Sequence, residues 1–428
     1  MDGGTLNASS VYSNYLDGLV IRGSGTVNAN MSSVTIDSTS YTIGANRSAG
    51  TVTLVGGSSL TNLGSTGYIN GQQGGNIVNN GSVQYIDGST SHSISNSNTG
   101  TVSGIVTTNG GSYTNNGYTG SVNVNGGNFY NNGTTYHVSV NGDSGSTIQN
   151  NGKIAYSVSN VHTTINNNGS IGTAAVVDKN GVTTTSADGA TITQDINSTL
   201  NNNGVIVASS VSNSGTISNN GTFALTLGGS YSGSSGTFAQ SSGKTTIDGT
   251  FVGDIQLNGG TLNGWGSILG TVTVANGAQV MPGHSPGTME IKDLYLQSGA
   301  VLNLDVSTTG GVSDRLIIDH GLTADKGSFI NLSLTDNAGT SADDFSKINI
   351  ANLFTFVGGA TPANTFSNIE FIAQGTAAGA TKYVLSVNDN GSIGSITPVP
   401  EPEVYTMLLA GLGMLGAAFR RRCKATAV

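Results

Sequence analysis

Short apolar runs alternate with polar residues at a period of two along most of the chain. Ser121-Val122-Asn123-Val124-Asn125 and Thr271-Val272-Thr273-Val274 each put Val on one face and Asn, Ser or Thr on the other. Such runs predict strands with one face in a core. Gly and Asn interrupt every window before residue 399 in which a 3.6-residue period could develop, and both weaken helices, so no helix is expected there.

The strands follow a recurrent phrase, Asn-Asn-Gly, then a small polar residue, then a β-branched or aromatic one. Examples are Asn79-Asn80-Gly81-Ser82-Val83, Asn150-Asn151-Gly152-Lys153-Ile154 and Asn219-Asn220-Gly221-Thr222-Phe223. Its glycines fall at 81, 117, 133, 152, 169, 204 and 221, with gaps of 36, 16, 19, 17, 35 and 17. Both long gaps are about twice the short ones. Asn98-Thr99-Gly100-Thr101-Val102 and Asp188-Gly189-Ala190-Thr191-Ile192 are read as degenerate copies that fill them. A strand after each turn at a fixed short period signals a solenoid. Gly is expected at a positive-φ corner, beside an Asn that tolerates left-handed geometry. Stacked corners would let Asn side chains ladder along the axis. The expected fold is all-β: a right-handed parallel β-helix with a C-terminal β cap and one C-terminal transmembrane helix. A tandem of β-sandwiches would place turns every ~8–12 residues and use longer, less polar strands. With rungs ~4.8 Å apart, roughly fourteen over residues 1–250 make a rod about 65–70 Å long.

Composition narrows the partners. The 428 residues include 65 Gly, only 9% are charged, and the net charge is −9. A basic patch able to release phosphate counterions is missing from such a chain, which argues against nucleic acid. The single cysteine, Cys423, lies in the C-terminal tail, so the rest can form no internal disulfide and no Cys metal site. Met1-Asp2-Gly3-Gly4-Thr5-Leu6 reads like the middle of a repeat rather than an export signal, which suggests a true start farther upstream.

Val399-Pro400-Glu401-Pro402-Glu403 leads into sixteen uncharged residues, 404–419, and then Arg420-Arg421-Arg422-Cys423-Lys424. As a helix the run would be roughly 24 Å long at ~1.5 Å per residue, near the ~30 Å hydrocarbon core once flanking charges snorkel. The basic cluster would stay cytoplasmic, which puts the body across the membrane. Pro400-Glu401-Pro402, the Leu/Gly-rich run and Arg420 to Arg422 together resemble a PEP-CTERM sorting signal. That resemblance implies an exosortase-type membrane partner acting at the Pro-Glu-Pro triplet. It also implies transient anchoring in a Gram-negative inner membrane through residues 404–419, and a final place at the cell surface or in the extracellular matrix.

A second resemblance covers residues 251–310. Gly260-Thr261-Leu262-Asn263-Gly264-Trp265-Gly266 leads to Pro282-Gly283-His284-Ser285-Pro286-Gly287-Thr288, then to Leu294-Tyr295-Leu296 and Leu302-Asn303-Leu304. This is similar to the passenger-associated repeat of autotransporter adhesins, and it implies that the segment continues the β-helix. The division expected is 1–250 repeats, 251–310 passenger-like repeat, 311–390 β cap, 391–398 linker and 399–428 sorting signal.

Catalytic lookalikes fail on chemistry. Gly283-His284-Ser285-Pro286-Gly287 fits a hydrolase elbow, but Pro286 has no N–H to offer an oxyanion hole. Gly411-Leu412-Gly413-Met414-Leu415-Gly416 fits a dinucleotide fingerprint without the βαβ unit it needs. A β-helix enzyme acting on polysaccharide needs paired carboxylates on neighbouring rungs. The repeat region is too poor in ionisable residues to suggest such a site: Asp178 and Asp195 are seventeen apart, and Lys179 is isolated. Asp305, Asp314, Asp319 and Asp325 read as a solvated acidic face. His92, His137, His162, His284 and His320 lack metal-ligand spacing and are expected at surfaces or corners. No catalytic, cofactor or metal residue is therefore assigned. The function expected is a non-enzymatic, adhesin-like surface or matrix protein in biofilm or cell-surface adhesion, with exopolysaccharide or another surface glycan as partner and self-association as a further expectation. The alternatives are a carbohydrate-active β-helix enzyme and a fragment of an autotransporter-type passenger.

Overall fold

A computed structural model describes residues 4–7, 17–23, 25–28, 30–73, 75–88, 92–141, 146–172, 176–177, 183–184, 189–233, 235–284, 286–308, 311–335, 342–357, 366–375, 381–388 and 391–399. Its short strands stack in parallel: Ser40–Ile43 on Ser59–Asn62, that on Gly75–Asn79, and that on His92–Asn96. Longer strands such as Ser48–Val55, Ser65–Gly71 and Ser82–Gly88 stack beside them in the same sense. The result is a parallel β-solenoid of about thirteen turns. One apolar column runs up its interior through Leu60, Ile77, Ile94, Tyr113, Phe129, Ile148 and Ile165, none more than 1% exposed. Larger rings sit together where they occur. Tyr113 stacks on Phe129 at 5.3 Å, and Tyr231 on Phe251 at 3.8 Å.

The first Asn of each repeat ends a short strand and points inward. Asn62 Nδ2 donates to Asn79 Oδ1 (2.9 Å), Asn79 to Asn96 (2.8 Å), Asn96 to Asn115 (2.9 Å) and Asn115 to Asn131 (2.9 Å). The column continues through Asn150, Asn167, Asn202 and Asn219 to Gln240. Asn79 illustrates its chemistry. Nδ2 also donates to the Thr101 carbonyl (3.2 Å), and Oδ1 accepts from Asn62 and from the Gly81 N–H (3.2 Å). All four amide valences are filled at 0% exposure. Leaving such a group unpaired would cost roughly 1–3 kcal/mol, so the column specifies register as well as contributing stability. Gln240 closes it on the Gly243, Gly259 and Thr261 carbonyls, because Leu257 occupies the place above.

The second Asn points outward and forms a ladder of its own. Asn132 donates to Asn116, Asn151 to Asn132, Asn168 to Asn151, and Asn203 to Asn168. Here each amide donates toward the N-terminal end, whereas the inner ones donate toward the C-terminal end. The two columns of amide dipoles therefore oppose one another.

The glycine of the phrase has a different role from the one expected. Glycines 81, 117, 133, 152, 169, 204 and 221 all lie outside the left-handed region, and so do the paired asparagines before them. What requires glycine is closeness. A Cβ on Gly152 would sit 2.1 Å from the Gly133 carbonyl oxygen, and one on Gly169 2.1 Å from that of Gly152. Each bend rests directly on the bend below.

The two long gaps also differ from one another. Thr101–Val102 stacks between Ser82–Val83 and Tyr118–Thr119, so the 98–102 copy is a true turn. The 35-residue gap is a single turn: Asn167 stacks directly on Asn202. Between Gly172 and Gly189 the described residues are a separate antiparallel pair, Val176–Val177 with Thr183–Thr184, and the wall resumes at Ala190–Gln194, which stacks on Lys153–Val161. Of the Asp188-Gly189-Ala190-Thr191-Ile192 copy, Asp188 lies outside the described residues, and Ala190, Thr191 and Ile192 belong to a strand that completes a turn already begun.

The described strands between 251 and 308 continue the solenoid, with Gln279–Pro282, Thr288–Leu296 and Val301–Val306 all in parallel pairs. Parallel stacking persists beyond 311, through Arg315–Ala324 and Ser328–Leu334 to Ile369–Gly375. Only then does pairing turn antiparallel, through Lys382–Val387 to Ile393–Pro398. The segment expected as a linker is therefore largely a strand of the cap. A short helix, Ala342–Ser346, appears where none was expected, with Asp343 and Asp344 in its first turn favoured by the helix dipole. Phe345, Phe354, Phe366 and Phe371 pack under this cap and cover the open core. The transmembrane helix expected over 404–419 lies outside the described residues. Among the described residues no helix is long and apolar enough to cross a membrane.

Asn150→Ala strands the Asn131 donor and the Asn167 acceptor, and should cost roughly 2–4 kcal/mol in chemical denaturation. Asn151→Ala, on the exposed ladder one residue on, should stay within about 0.5 kcal/mol. Equal losses would contradict the inward and outward assignment.

Candidate functional site

The elbow-like segment is built into the wall. His284 follows strand Gln279–Pro282, and its Nε2 lies 2.8 Å from Oδ1 of Asp248, in the bend between Lys244–Ile247 and Thr250–Val252. Both side chains are 5% exposed, so His284 is neither a surface nor an open corner residue. Asp248 Oδ1 also accepts from the Trp265 N–H, and the Trp265 ring meets His284 edge-on at 4.4 Å. Gly287 touches the same ring, where a Cβ would come 2.6 Å from Trp265 Nε1. This histidine is held by a carboxylate and an indole, a packing role. Ser285 lies outside the described residues.

Of the four acids expected on a solvated face, Asp305, Asp319 and Asp325 are partly exposed and Asp314 is buried. Asp314 is 4% exposed and accepts from the N–H groups of Gly287 (Oδ1, 2.7 Å) and Asp305 (Oδ2, 2.7 Å), tying the 283–287 bend to the next turn. Burial pushes its carboxyl up to about 6, against the two N–H donors, which favour the charged form; the nearby Asp305 charge adds to the rise. Burial also raises Asp305. Asp325 accepts from the Tyr295 hydroxyl at 2.8 Å. Among the described residues, no three His, Cys, Asp or Glu side chains converge as metal ligands.

Sequence spacing missed the pairing of Glu290 and Asp319, carried by Thr288–Leu296 and Arg315–Ala324 on adjacent turns. Asp319 is raised by desolvation first and by the Glu290 charge next. Asp195 accepts from the N–H of Ile196 in its own turn and lies 3.8 Å from His162, and Asp178 falls outside the described residues. Spacing also missed a second buried polar column, Asn160 to Gln194 (3.0 Å), Gln194 to Asn213 (3.4 Å) and Asn213 to the Tyr231 hydroxyl (2.8 Å). The interval from Gln194 to Asn213 was its only signal.

The outer wall offers chemistry of another kind. The outward positions of the short strands form two columns made mostly of Ser, Thr, Asn and Gln, such as Thr147 and Gln149, Thr164 and Asn166, Thr199 and Asn201, Thr216 and Ser218, with Val78, Tyr130 and Ala239 as exceptions. No Lys, Arg, Asp or Glu stands at these positions between Ser40 and Gln240. This face is thus a regular, uncharged array made mostly of donors and acceptors. At the other end, Val399 N donates to Lys382 O at 2.8 Å, so Pro400, Glu401 and Pro402 begin directly after the cap. That triplet and Arg420, Arg421 and Arg422 lie outside the described residues.

Fold and wall define a passenger-like β-solenoid with a C-terminal tail of distinct composition. A family model for the PEP-CTERM protein-sorting motif matches residues 398–422. The chain therefore carries the signal of an exported protein held transiently at the membrane and processed by exosortase, itself a membrane enzyme. No curated protein matches the chain.

The folded-state value of Asp314 lies above the ~3.9 of an unfolded carboxyl. Its contribution to stability should be fully present below about pH 4 and lost as pH rises through about 6. Denaturation midpoints between pH 4 and 7 should show that dependence weakened in Asp314→Asn. An unchanged profile would contradict the burial argument.

Proposed function

We propose that this chain is a non-enzymatic structural protein of the cell surface or extracellular matrix, adhesin-like in action, whose solenoid wall holds exopolysaccharide. The observation that supports this reading is the pairing of a sorting tail with a long, rigid wall of uncharged hydrogen-bonding columns. Neutral hydroxyls and amides at a constant interval suit a repeating polyhydroxylated polymer. A rod stabilised turn by turn needs no disulfide outside the cell. Low surface charge also lets copies approach each other, and self-association would strengthen a matrix.

A second reading, a carbohydrate-active solenoid enzyme, draws on Glu290 and Asp319. Release of reducing sugars from a polysaccharide by the protein, abolished by Glu290→Gln, would favour it over the structural one.

Replacing Pro400, Glu401 and Pro402 together by Ala in cells that carry the sorting system should leave the full-length chain in the membrane fraction. The unaltered chain should reach the surface or matrix fraction. Identical fractionation of the two, followed by immunoblotting, would overturn the proposal.

A further inference from the structure

One stretch of the wall departs from small polar residues. Tyr68 and Tyr85 stack in register on adjacent turns, and Ile105 takes the corresponding place one turn on. Farther along, Tyr118, Tyr136 and Tyr156 come from three successive turns. The Tyr118 and Tyr136 rings lie 5.2 Å apart at 90°, and the Tyr136 and Tyr156 rings 5.0 Å apart at 77°. His137 extends the row, stacked on Tyr156 at 5.8 Å and hydrogen-bonded to Ser157 Oγ at 2.8 Å. The rings have room because Gly120, opposite Tyr136 in the register, has no side chain.

These rings are not core. Tyr85 is 40% exposed, Tyr136 36% and Tyr156 48%. Their carrier strands are clamped by ladders on both sides, so the rings are presented on a rigid frame, and an aromatic with two side-chain torsions loses little freedom on binding. A ring face is a platform for apolar C–H groups, and the phenol hydroxyls and neighbouring Thr101, Thr134 and Ser121 supply hydrogen bonds beside it.

We infer that the tyrosine row Tyr118–Tyr136–Tyr156, flanked by the column Tyr85–Ile105 that the register continues through Ser121 to His137, is a docking track for an extended neutral polysaccharide lying along the rod axis. The inference rests on the glycan-binding reading above and assigns it a place. Three features select this occupant. Centroid spacings of 5.0 and 5.2 Å between successive turns are comparable with one pyranose unit of an extended chain, and because neighbouring rings stand at 90° and 77° to one another, ring faces meet alternate sugars and ring edges those between. Pyranose rings combine an apolar C–H face with a hydroxyl rim, which is the pattern this row and its flanks present. The charged groups beside it are sparse, Asp87 at the Tyr68 hydroxyl and Lys153 next to Thr134, and the chain is acidic overall, which disfavours a uronate polymer. A second protein copy fits less well. Fully covered aromatics bury roughly 150–250 Å² each, less than half of that remains open on these rings, and a standard interface needs about 800 Å² per partner.

The test is affinity electrophoresis of the full chain in native gels containing hydroxyethylcellulose, dextran or alginate. The inference expects retardation by a neutral polymer and at least a tenfold weaker effect for the Tyr136→Ala/Tyr156→Ala double variant. Tyr136→Phe, which keeps the ring and loses one hydroxyl, should weaken binding by no more than about threefold. Val312→Ala, at an exposed site outside the wall and the row, should bind as the unaltered chain does, with circular dichroism unchanged throughout. Retardation that persists in the double variant, or that occurs only with alginate, overturns the track and leaves wall binding standing. No retardation of the unaltered chain by any polymer overturns both. A double variant that differs only in oligomer mass by light scattering assigns the row to contact between copies, and overturns it too.

Discussion

The interaction on which the rest depends is the hydrogen bond from one buried asparagine amide to the next. A parallel strand stack alone leaves register loosely set, because small polar and β-branched residues recur at every position. An amide sealed in the core has four valences to fill. Here two are filled by the amides above and below and two by backbone at the bend, as at Asn79. Slipping one residue would turn both Ile and Asn out of the core, and slipping two would bury Asn where Ile belongs; either leaves those valences empty. The column therefore converts a repetitive sequence into one fold. The glycine beside it is the steric half of the same constraint, since it lets bend rest on bend at a distance no side chain permits.

The ladder's ends explain the architecture near them. At its start, Asn62 Oδ1 has Ile43 below and accepts instead from Thr66 Oγ1 and the Gly64 N–H. At its finish, Gln240 reaches three carbonyls, and the wall beyond is held by aliphatic packing and by the Asp248–His284 and Asp314 contacts. The second column begins at Asn160, whose Oδ1 accepts no hydrogen bond because Val140 lies beneath it. Polar columns hold the part of the chain that carries the paired asparagines, and apolar and aromatic contacts hold the rest up to the cap.

Much of this was legible in the residues. Period-two alternation and a fixed spacing sufficed for a solenoid, and the tail's three-part pattern sufficed for the sorting motif. The misreadings have physical causes. Gly after Asn signals a left-handed corner in most turns, and steric closeness between stacked chains leaves the same letter. A gap of 35 is close both to two periods and to one period with an excursion, so spacing could not separate them. Asp314 reads as one of a row of acids, yet only the fold brings the Gly287 and Asp305 amides to its oxygens. The tyrosine row comes from three turns, and register alone shows that its rings are neighbours.

The most direct test of the account is side-chain amide hydrogen exchange followed by NMR with asparagine-selective nitrogen labelling. The account predicts that Asn79, Asn96, Asn115, Asn131 and Asn150 exchange only through opening of the solenoid, while Asn132, Asn151 and Asn168 exchange orders of magnitude faster. Comparable, fast exchange of both sets would mean that the inner amides are not joined into a column, and would contradict the account.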